Sequence, residues 1–211
     1  MAFSKYLNGA WQEADDANRY EDGAWVRCDN AYRYQDGAWQ EALEVEPFYL
    51  IKNGAYQVDF TEIPFWKTEG SSTVTESPSS GYVEIYTKSS GMLAIITTDL
   101  INLKKYKQIN IEATAQIYLD STSYENNAVV GAYPTIPESI VTGSPAKPRD
   151  DCMMYHSFYR LKGTISSAHK TANATVDISN LNQYGHLYMG ITSWNMSNEF
   201  SRLRIYNLWL S

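Results

Sequence analysis

Residues 108–118 read Gln-Ile-Asn-Ile-Glu-Ala-Thr-Ala-Gln-Ile-Tyr, and this stretch decides the fold of the chain. Apolar residues at every odd position alternate with polar residues at the even positions. A period of two is typical of a β-strand with one face in a core and the other in solvent. The pattern predicts a buried row and an exposed row: Ile109, Ile111 and Ile117 inside, and Gln108, Asn110 and Gln116 outside.

Further segments around this strand carry β-type runs between turn signals, and at most one helical turn fits, around Asp99–Lys107. The segments are Tyr82–Thr87, Met92–Thr97, Ala128–Tyr133, Ser157–Leu161, Ala174–Ile178, Leu187–Trp194 and Ser201–Leu210. Many short strands with long loops predict an all-β fold, an antiparallel β-sandwich of jelly-roll type over residues 47–211. The proline-rich stretch from Pro134 to Asp151 is expected to arch over one end of the sandwich.

A repeated motif occupies the beginning of the chain. The pattern Tyr-x-Asp/Asn-Gly-Ala-Trp occurs at Tyr6–Trp11, Tyr20–Trp25 and Tyr34–Trp39, at a fixed step of 14 residues. A degenerate copy follows at Ile51–Tyr56, three residues out of step. Asn-Gly and Asp-Gly favour type I′ turns, because both central residues take positive φ. Each copy therefore predicts the tip of a tight β-hairpin.

The spacing of the repeats predicts how the hairpins join. With return turns at Asp15-Asp16 and Asp29-Asn30, Trp11 lies opposite Tyr20 and Trp25 lies opposite Tyr34. Residues 1–46 are then one β-meander with a single aromatic row: Tyr6, Trp11, Tyr20, Trp25, Tyr34 and Trp39. The row is either the spine of a small sheet or a docking surface for partner subunits or sugar rings.

Charge and cysteine content exclude several classes of protein. The net charge is −7, and residues 1–46 hold four basic against ten acidic residues. Neither region has the basic footprint that nucleic acid or an anionic membrane surface requires. The chain begins without an apolar signal segment and has no long apolar run, so we expect synthesis in the cytoplasm without a signal peptide and no membrane span. Cys28 and Cys152 are expected to be free thiols.

Catalytic motifs are absent from the sequence, and we predict a protein without enzymatic activity or cofactor. Cys152 and His156 lie close in sequence, but a loop entering a strand explains them better than a thiol nucleophile or metal site. His169 is expected in an exposed loop. The acids available for glycoside cleavage show no linking spacing: Glu84, Asp99, Glu112, Asp120 and Asp177. Asp120, Asp150 and Asp151 are the candidate ligands for a structural calcium ion, with a solvated loop as the alternative.

Aromatic residues near turns give the better signal for a binding site, because sugar rings stack on flat aromatic faces while neighbouring polar groups bond the hydroxyls. Trp194 is followed by Asn195 and Asn198 at a predicted turn, and Tyr124 precedes another turn. Tyr133 and Trp66 complete the predicted glycan-binding set. Core packing is the alternative for each aromatic residue.

Two features resemble a known group of proteins. The tandem Tyr-x-Asn/Asp-Gly-x-Trp hairpins resemble those in tail and baseplate-associated proteins of phages and prophages of Gram-positive, often gut, bacteria. The runs Asp177–Leu181, Leu187–Ile191 and Leu203–Leu210 are similar to the last strands of the carbohydrate-module-like jelly rolls in such proteins.

This resemblance implies a non-enzymatic structural or adhesion protein whose sandwich binds a ligand, such as a cell-surface glycan. It implies that the repeats serve attachment or oligomerisation. The implied partners are a cell-surface polysaccharide and other virion proteins, in a homo-oligomer such as a trimer. The implied location is the virion, or the outside of the cell after lysis. A free-standing bacterial carbohydrate-binding module and a glycoside-acting enzyme are the alternatives.

Overall fold

The computed structural model describes residues 3–7, 10–14, 18–21, 24–27, 32–35, 38–41, 46–64, 71–88, 93–118, 125–142, 147–162, 168–191 and 200–211. The chain divides into two compact units, Met1–Glu46 and Pro47–Ser211. Their described elements are β-strands, apart from single 3-10 turns at Pro78–Ser80 and Leu103–Lys105. The all-β fold class is confirmed. No helix in these described residues is long and apolar enough to cross a membrane.

The first unit consists of three antiparallel hairpins. Its strands are β1 (Phe3–Leu7), β2 (Ala10–Ala14), β3 (Asn18–Glu21), β4 (Ala24–Arg27), β5 (Tyr32–Gln35) and β6 (Ala38–Glu41). Each hairpin closes around one copy of the motif and pairs its Tyr with its Trp: Tyr6 with Trp11, Tyr20 with Trp25, and Tyr34 with Trp39.

The hairpins are three separate two-stranded sheets, which corrects the prediction of one continuous meander. Among the described strand pairings, Trp11 is not paired with Tyr20, nor Trp25 with Tyr34. An Asp-Asp pair is not a favoured type I′ centre, so the sequence specifies the return at residues 15–16 only weakly. The aromatic side chains of this unit lie outside the described part of the structure.

The fourth copy of the motif belongs to the second unit. Strands β7 (Phe48–Lys52) and β8 (Ala55–Tyr56) pair around Asn53 and Gly54, with Ile51 opposite Tyr56. Asn53 and Gly54 have φ values of 51° and 73°, as a type I′ turn requires. A Cβ on Gly54 would lie 2.0 Å from the backbone nitrogen of Tyr82, so only glycine fits.

Two antiparallel sheets form the sandwich of this unit. The remaining strands are β9 (Phe60–Pro64), β10 (Ser71–Ser77), β11 (Tyr82–Lys88), β12 (Leu93–Thr97), β13 (Ile101–Asn102), β14 (Gln108–Tyr118), β15 (Glu125–Tyr133), β16 (Val141–Thr142), β17 (Lys147–Pro148), β18 (Met154–Lys162), β19 (Lys170–Thr171), β20 (Ala174–Asp177), β21 (Tyr184–Ile191) and β22 (Phe200–Leu210). The larger sheet has the order β10-β11-β22-β14-β19, with β20 beside β14 and β7 beside β22. The smaller sheet has the order β18-β15-β21-β12-β9, with β13 beside β21. The chain passes repeatedly between the sheets, as in a jelly roll.

In β14, the face of the strand that the sequence predicted to be buried is the buried one. Ile109 and Ile111 are buried in the core between the sheets, while Gln108 and Glu112 are exposed. Asn110 points outward as predicted but is only 9% exposed. Its amide donates to Ser211 Oγ at 2.9 Å and accepts from Thr175 Oγ1 at 3.1 Å. These bonds satisfy a polar side chain that burial would otherwise destabilise. The side chain of Ile117 lies outside the described residues.

A second, smaller core lies on the outer face of the smaller sheet. Described residues 134–142 and 147–152, which we call the cover, pass over this face. Ile140 and Val141 of the cover pack with Tyr133 and Tyr188 of the sheet, and all four are buried. The backbone nitrogen of Ile140 donates to Pro64 O at 3.2 Å. The prolines therefore arch over a face of the sandwich, which corrects the expectation of an arch over one end.

Candidate functional site

The outer face of the larger sheet carries aromatic, polar and charged side chains that are half-buried or, at Glu112, exposed. We call this surface the open face. It consists of Tyr49, Tyr82, Glu84, Tyr86, Glu112, Thr114, Gln116, Phe200, Arg202, Arg204, Tyr206 and Trp209. These residues form a continuous stripe along β22, because β11 and β7 flank one side of β22 and β14 flanks the other.

Strand alternation places these side chains on one surface. In β22, Leu203 and Ile205 are fully buried in the core, so Arg202 and Arg204 point to the other side. The register sets Arg202 between Tyr86 and Gln116, and it sets Arg204 between Glu84 and Thr114. A bulge at Glu112 inserts Tyr206 into the same face.

At one end of the open face, Arg202 lies against two neighbouring aromatic rings, whose centres are 6.1 Å apart. Its guanidinium carbon is 5.1 Å from the ring centre of Tyr86 and 5.1 Å from that of Phe200. Its Nη1 reaches Gln116 Oε1 at 3.5 Å, the outer limit of a hydrogen bond. Its Nε is shielded from solvent and has no hydrogen-bond acceptor among the described residues.

The middle of the open face holds an ion pair. Arg204 Nε donates to Glu84 Oε2 at 2.7 Å, and the Arg204 guanidinium lies 4.5 Å from the Tyr82 ring centre. The Tyr82 ring meets the Tyr206 ring edge-on at 6.1 Å. These contacts orient the Arg204 guanidinium and the Tyr82 and Tyr206 rings relative to one another, which preorganises this part of the surface.

The other end of the open face forms a groove of about 370 Å³ beside Trp209. Its polar lining consists of Asn110, Glu112, Asn173 and Thr175. The Trp209 indole stacks on the Tyr49 ring, with ring centres 5.9 Å apart and an angle of 27°. The groove thus combines a flat aromatic wall with amide, hydroxyl and carboxylate groups, the combination that orients a polar ligand with apolar faces.

A smaller cleft of about 200 Å³ opens at the edge of the sandwich. Tyr56 and Phe60 line it with ring centres 4.8 Å apart, and Glu62 and Glu76 lie at its mouth. Burial and the carboxylates of Glu76 and Glu62 raise the pKa of Tyr56 to about 12. Neither glutamate is among the acids that the sequence suggested for glycoside cleavage.

Most of the predicted glycan-binding residues lie outside the described residues: Trp66, Tyr124, Trp194, Asn195 and Asn198. Tyr133 is described, and it is fully buried against Tyr188, with ring centres 5.4 Å apart. Its hydroxyl donates to the carbonyl of Ile140 in the cover. The predicted ligand contact for Tyr133 is corrected, because the cover seals the ring from the surface.

The residues considered for a calcium site and for a reactive thiol are not brought together into such a site within the described part of the chain. Asp120 lies outside the described residues, and Asp151 Oδ1 pairs with Arg149 Nε at 3.3 Å. The described part of the chain contains no group of three or more His, Cys, Asp or Glu side chains that could hold a metal ion. Burial raises the pKa of the Cys152 thiol, which donates to Met154 O at 3.0 Å.

His169 lies in the loop before β19, as predicted, but it is half-buried rather than exposed. Burial and the positive charges of Arg204 and Arg202 lower the pKa of His169, while Glu84 raises it. These neighbours place the imidazole beside the charged end of the open face. Its Nδ1 is shielded from solvent and has no hydrogen-bond partner among the described residues.

The sequence does contain a signal for the open face. In β22 the outward positions read Phe200, Arg202, Arg204, and in β11 they read Tyr82, Glu84, Tyr86. Both segments were predicted as strands, so an aromatic and charged outer row followed from the alternation alone. The sequence could not show that the two rows are neighbours, because strand order depends on the tertiary fold.

Comparisons with known proteins concern the fold. No protein-family profile matches this chain, and no curated protein matches it. A solved family 11 carbohydrate-binding module from Clostridium thermocellum, in complex with a β-1,3-1,4-mixed-linked tetrasaccharide, is 11% identical with a TM-score of 0.41, over 80% of this chain and 96% of that one. A tailspike protein 4 domain of bacteriophage CBA120 is 7% identical with a TM-score of 0.40, over 78% of this chain and 22% of that one. A structure described as CBM4 is 8% identical with a TM-score of 0.37, over 79% and 95%. Such low values carry no argument about the ligand.

Proposed function

We propose that the sandwich unit binds a glycan along the open face, without cleaving it. The observation that carries this proposal is the Trp209 groove, where an aromatic wall meets the polar side chains of Asn110, Glu112, Asn173 and Thr175. The C–H face of a sugar ring packs on an aromatic ring, while its hydroxyls exchange hydrogen bonds with amides and carboxylates. Tyr82 and Tyr206 continue the aromatic surface beyond the groove.

The proposal is tested with Trp209→Ala on an array of bacterial surface polysaccharides, followed by calorimetric titration of the best ligand. We expect at least a tenfold loss of affinity, about 1.4 kcal/mol, because the aromatic wall is removed. Tyr184→Ala is the matched control, since Tyr184 is a 52% exposed aromatic residue on the smaller sheet. Equal losses in both variants would contradict a site on the open face. Trp194→Ala tests the alternative site that the sequence suggested.

For the first unit we propose attachment or oligomerisation in a phage-type structural or adhesion protein located in the virion. The support is the three-fold repetition of one hairpin motif, each with a paired Tyr and Trp. The sequence resemblance to tail-associated repeats gives the virion context and suggests other virion proteins as partners. Three hairpins that each pair a Tyr with a Trp repeat the same aromatic positions, which suits a symmetric contact between copies of the chain.

Sedimentation velocity of the whole chain tests this assignment. We expect a homo-oligomer that Trp25→Ala dissociates, while the Tyr184→Ala control leaves it assembled. A monomeric wild-type protein that still binds glycan favours the free-standing carbohydrate-binding module instead.

The glycoside-acting enzyme is tested separately, by measuring new reducing ends after incubation with each bound polysaccharide. We expect none. Release of reducing ends would support the enzyme alternative, and Glu62 and Glu76 at the edge cleft would then be the first residues to replace.

A further inference from the structure

The Arg202 end of the open face differs chemically from the Trp209 end. Arg202 and Arg204 both point to this surface, and Glu84 is the carboxylate that pairs with one of them. Gln116 and Thr114 complete the two cross-strand rows and are neutral. This end therefore has a surplus of positive charge and of hydrogen-bond donors, because each guanidinium offers five N–H groups and accepts none.

Arg202 has hydrogen-bonding capacity that the described residues do not use. Its neighbours are the Tyr86 and Phe200 rings, each 5.1 Å away, and an amide oxygen at 3.5 Å. These two adjacent rings attract the guanidinium group but accept no in-plane hydrogen bond from it. The described residues offer Arg202 no carboxylate, in contrast to Arg204, which holds Glu84 at 2.7 Å.

A second donor stands beside Arg202. His169 is the residue before β19, whose Lys170 pairs with Ala115, so His169 continues the cross-strand row of Gln116 and Arg202. Its Nδ1 lacks a partner among the described residues, as does Arg202 Nε. The end of this row therefore holds two polar nitrogens whose hydrogen-bonding capacity the described residues do not satisfy.

We propose that this end of the open face recognises the carboxylate of a uronic acid residue in the bound glycan, with Arg202 as the principal contact and Arg204 and His169 as supporting donors. This inference rests on the proposed glycan binding and adds the class of sugar. A planar carboxylate matches the guanidinium fork, which is why such pairs are frequently bidentate.

The charge of the surface favours a singly charged group. Two guanidinium groups and the Glu84 carboxylate leave one positive charge at this end, with His169 neutral because burial and both arginines lower its pKa. Glu84 and Glu112 on the same face disfavour a highly charged polyanion. A uronic acid carries its carboxylate on the sugar ring itself. One uronic acid residue can therefore stack on an aromatic ring and bind a neighbouring guanidinium group at the same time.

The test uses an array on which acidic bacterial polysaccharides are printed beside their carboxyl-reduced forms. We expect the whole protein to bind acidic members at least tenfold more tightly than their reduced partners. We expect Arg202→Gln to bring the ratio of the two affinities to within about twofold of one. Lys104→Gln is the control, because it removes one exposed positive charge away from the open face.

Glu84→Gln keeps the proposal testable if Arg202→Gln fails to fold. It releases Arg204 from its ion pair, so we expect tighter binding of the acidic members, which a purely structural role of the pair does not produce. Binding that ignores carboxyl reduction, or that Arg202→Gln lowers equally for both forms, overturns the inference while glycan binding stands. Preference for phosphodiester-linked polymers over uronates also overturns it. Absence of binding to every printed polysaccharide overturns both proposals.

Discussion

The outer face of the smaller sheet lies under the cover, whereas the outer face of the larger sheet remains half-exposed, although aromatic residues occur on both. Under the cover, Tyr133 and Tyr188 are fully buried and their neighbours are aliphatic. On the open face, Tyr82 and Tyr86 alternate with Glu84 and lie against arginines. The same residue type therefore serves packing on one sheet and is available for binding on the other.

Charge explains the difference between the two faces. A segment can cover the smaller sheet because the residues beneath it have no ion to desolvate: Ile63, Ala94, Ile96, Val129, Tyr133 and Tyr188. Covering the open face would remove Arg202, Arg204 and Glu84 from water, and burial of such groups is costly even when they are paired. An aromatic face that also carries charges therefore remains exposed to solvent and available to a polar ligand.

The largest effect is expected from truncating a tyrosine under the cover. Tyr188→Ala removes a fully buried ring and should destabilise the protein by about 3–5 kcal/mol, as for other large-to-alanine core changes. Tyr206→Ala, on the open face, should cost less than about 2 kcal/mol because its ring is half-exposed. Urea denaturation of both variants measures the contrast, and equal losses would show that the open face is also a packed core.

Filling a glycine beneath the cover should have the next largest effect. A Cβ on Gly131 would lie 2.4 Å from Tyr188 Cζ and 2.3 Å from Met154 O. Gly131→Ala must therefore displace the ring or the neighbouring strand, with an expected loss of about 1–3 kcal/mol. Thermal denaturation checks this value. An unchanged melting temperature would mean that the Tyr188 ring does not lie flat on the sheet.

Alkaline pH should distinguish the tyrosines of the two faces. Burial raises the pKa of Tyr188 and of Tyr133, so the folded state favours their protonated forms. That stabilisation is fully present below the unfolded-state pKa near 10 and is lost as the pH rises through the higher folded-state pKa. The free energy of unfolding should fall between pH 10 and 12, and the fall should be smaller in Tyr188→Phe. A wild-type slope in Tyr188→Phe would contradict this prediction.

The smallest effect on stability is expected at the ion pair of the open face. Glu84→Gln should change the free energy of unfolding by less than about 1 kcal/mol, because the pair is partly exposed and screened by solvent. The same change is expected to alter glycan affinity. Urea denaturation alongside the array measurement checks both. A stability loss above about 3 kcal/mol would instead assign the pair to the framework of the sheet.

The strands were predictable where one face is apolar and the other polar. The alternation in β14 gave the correct buried face at Ile109 and Ile111. The Asn-Gly motif at Asn53-Gly54 predicted a type I′ hairpin, and both residues have positive φ. Such signals are local, because they depend on side-chain period and backbone conformation.

The binding surface was less predictable, because it depends on which strands become neighbours. Trp209 and Asn173 lie 36 positions apart in sequence and share one groove. Tyr133 is buried because the cover lies over it. Its position near a turn in the sequence did not indicate this burial.

The sequence by itself determined that this is an all-β protein with hairpin repeats followed by a sandwich, since alternation and turn chemistry act over a few residues. It also determined the outward rows of β11 and β22. Only the tertiary structure decided that these rows join into one open face, that Arg202 packs against both Tyr86 and Phe200, and that the outer face of the opposite sheet is covered. The reason is that strand order and loop packing are set by long-range burial, which brings together residues that no local pattern relates.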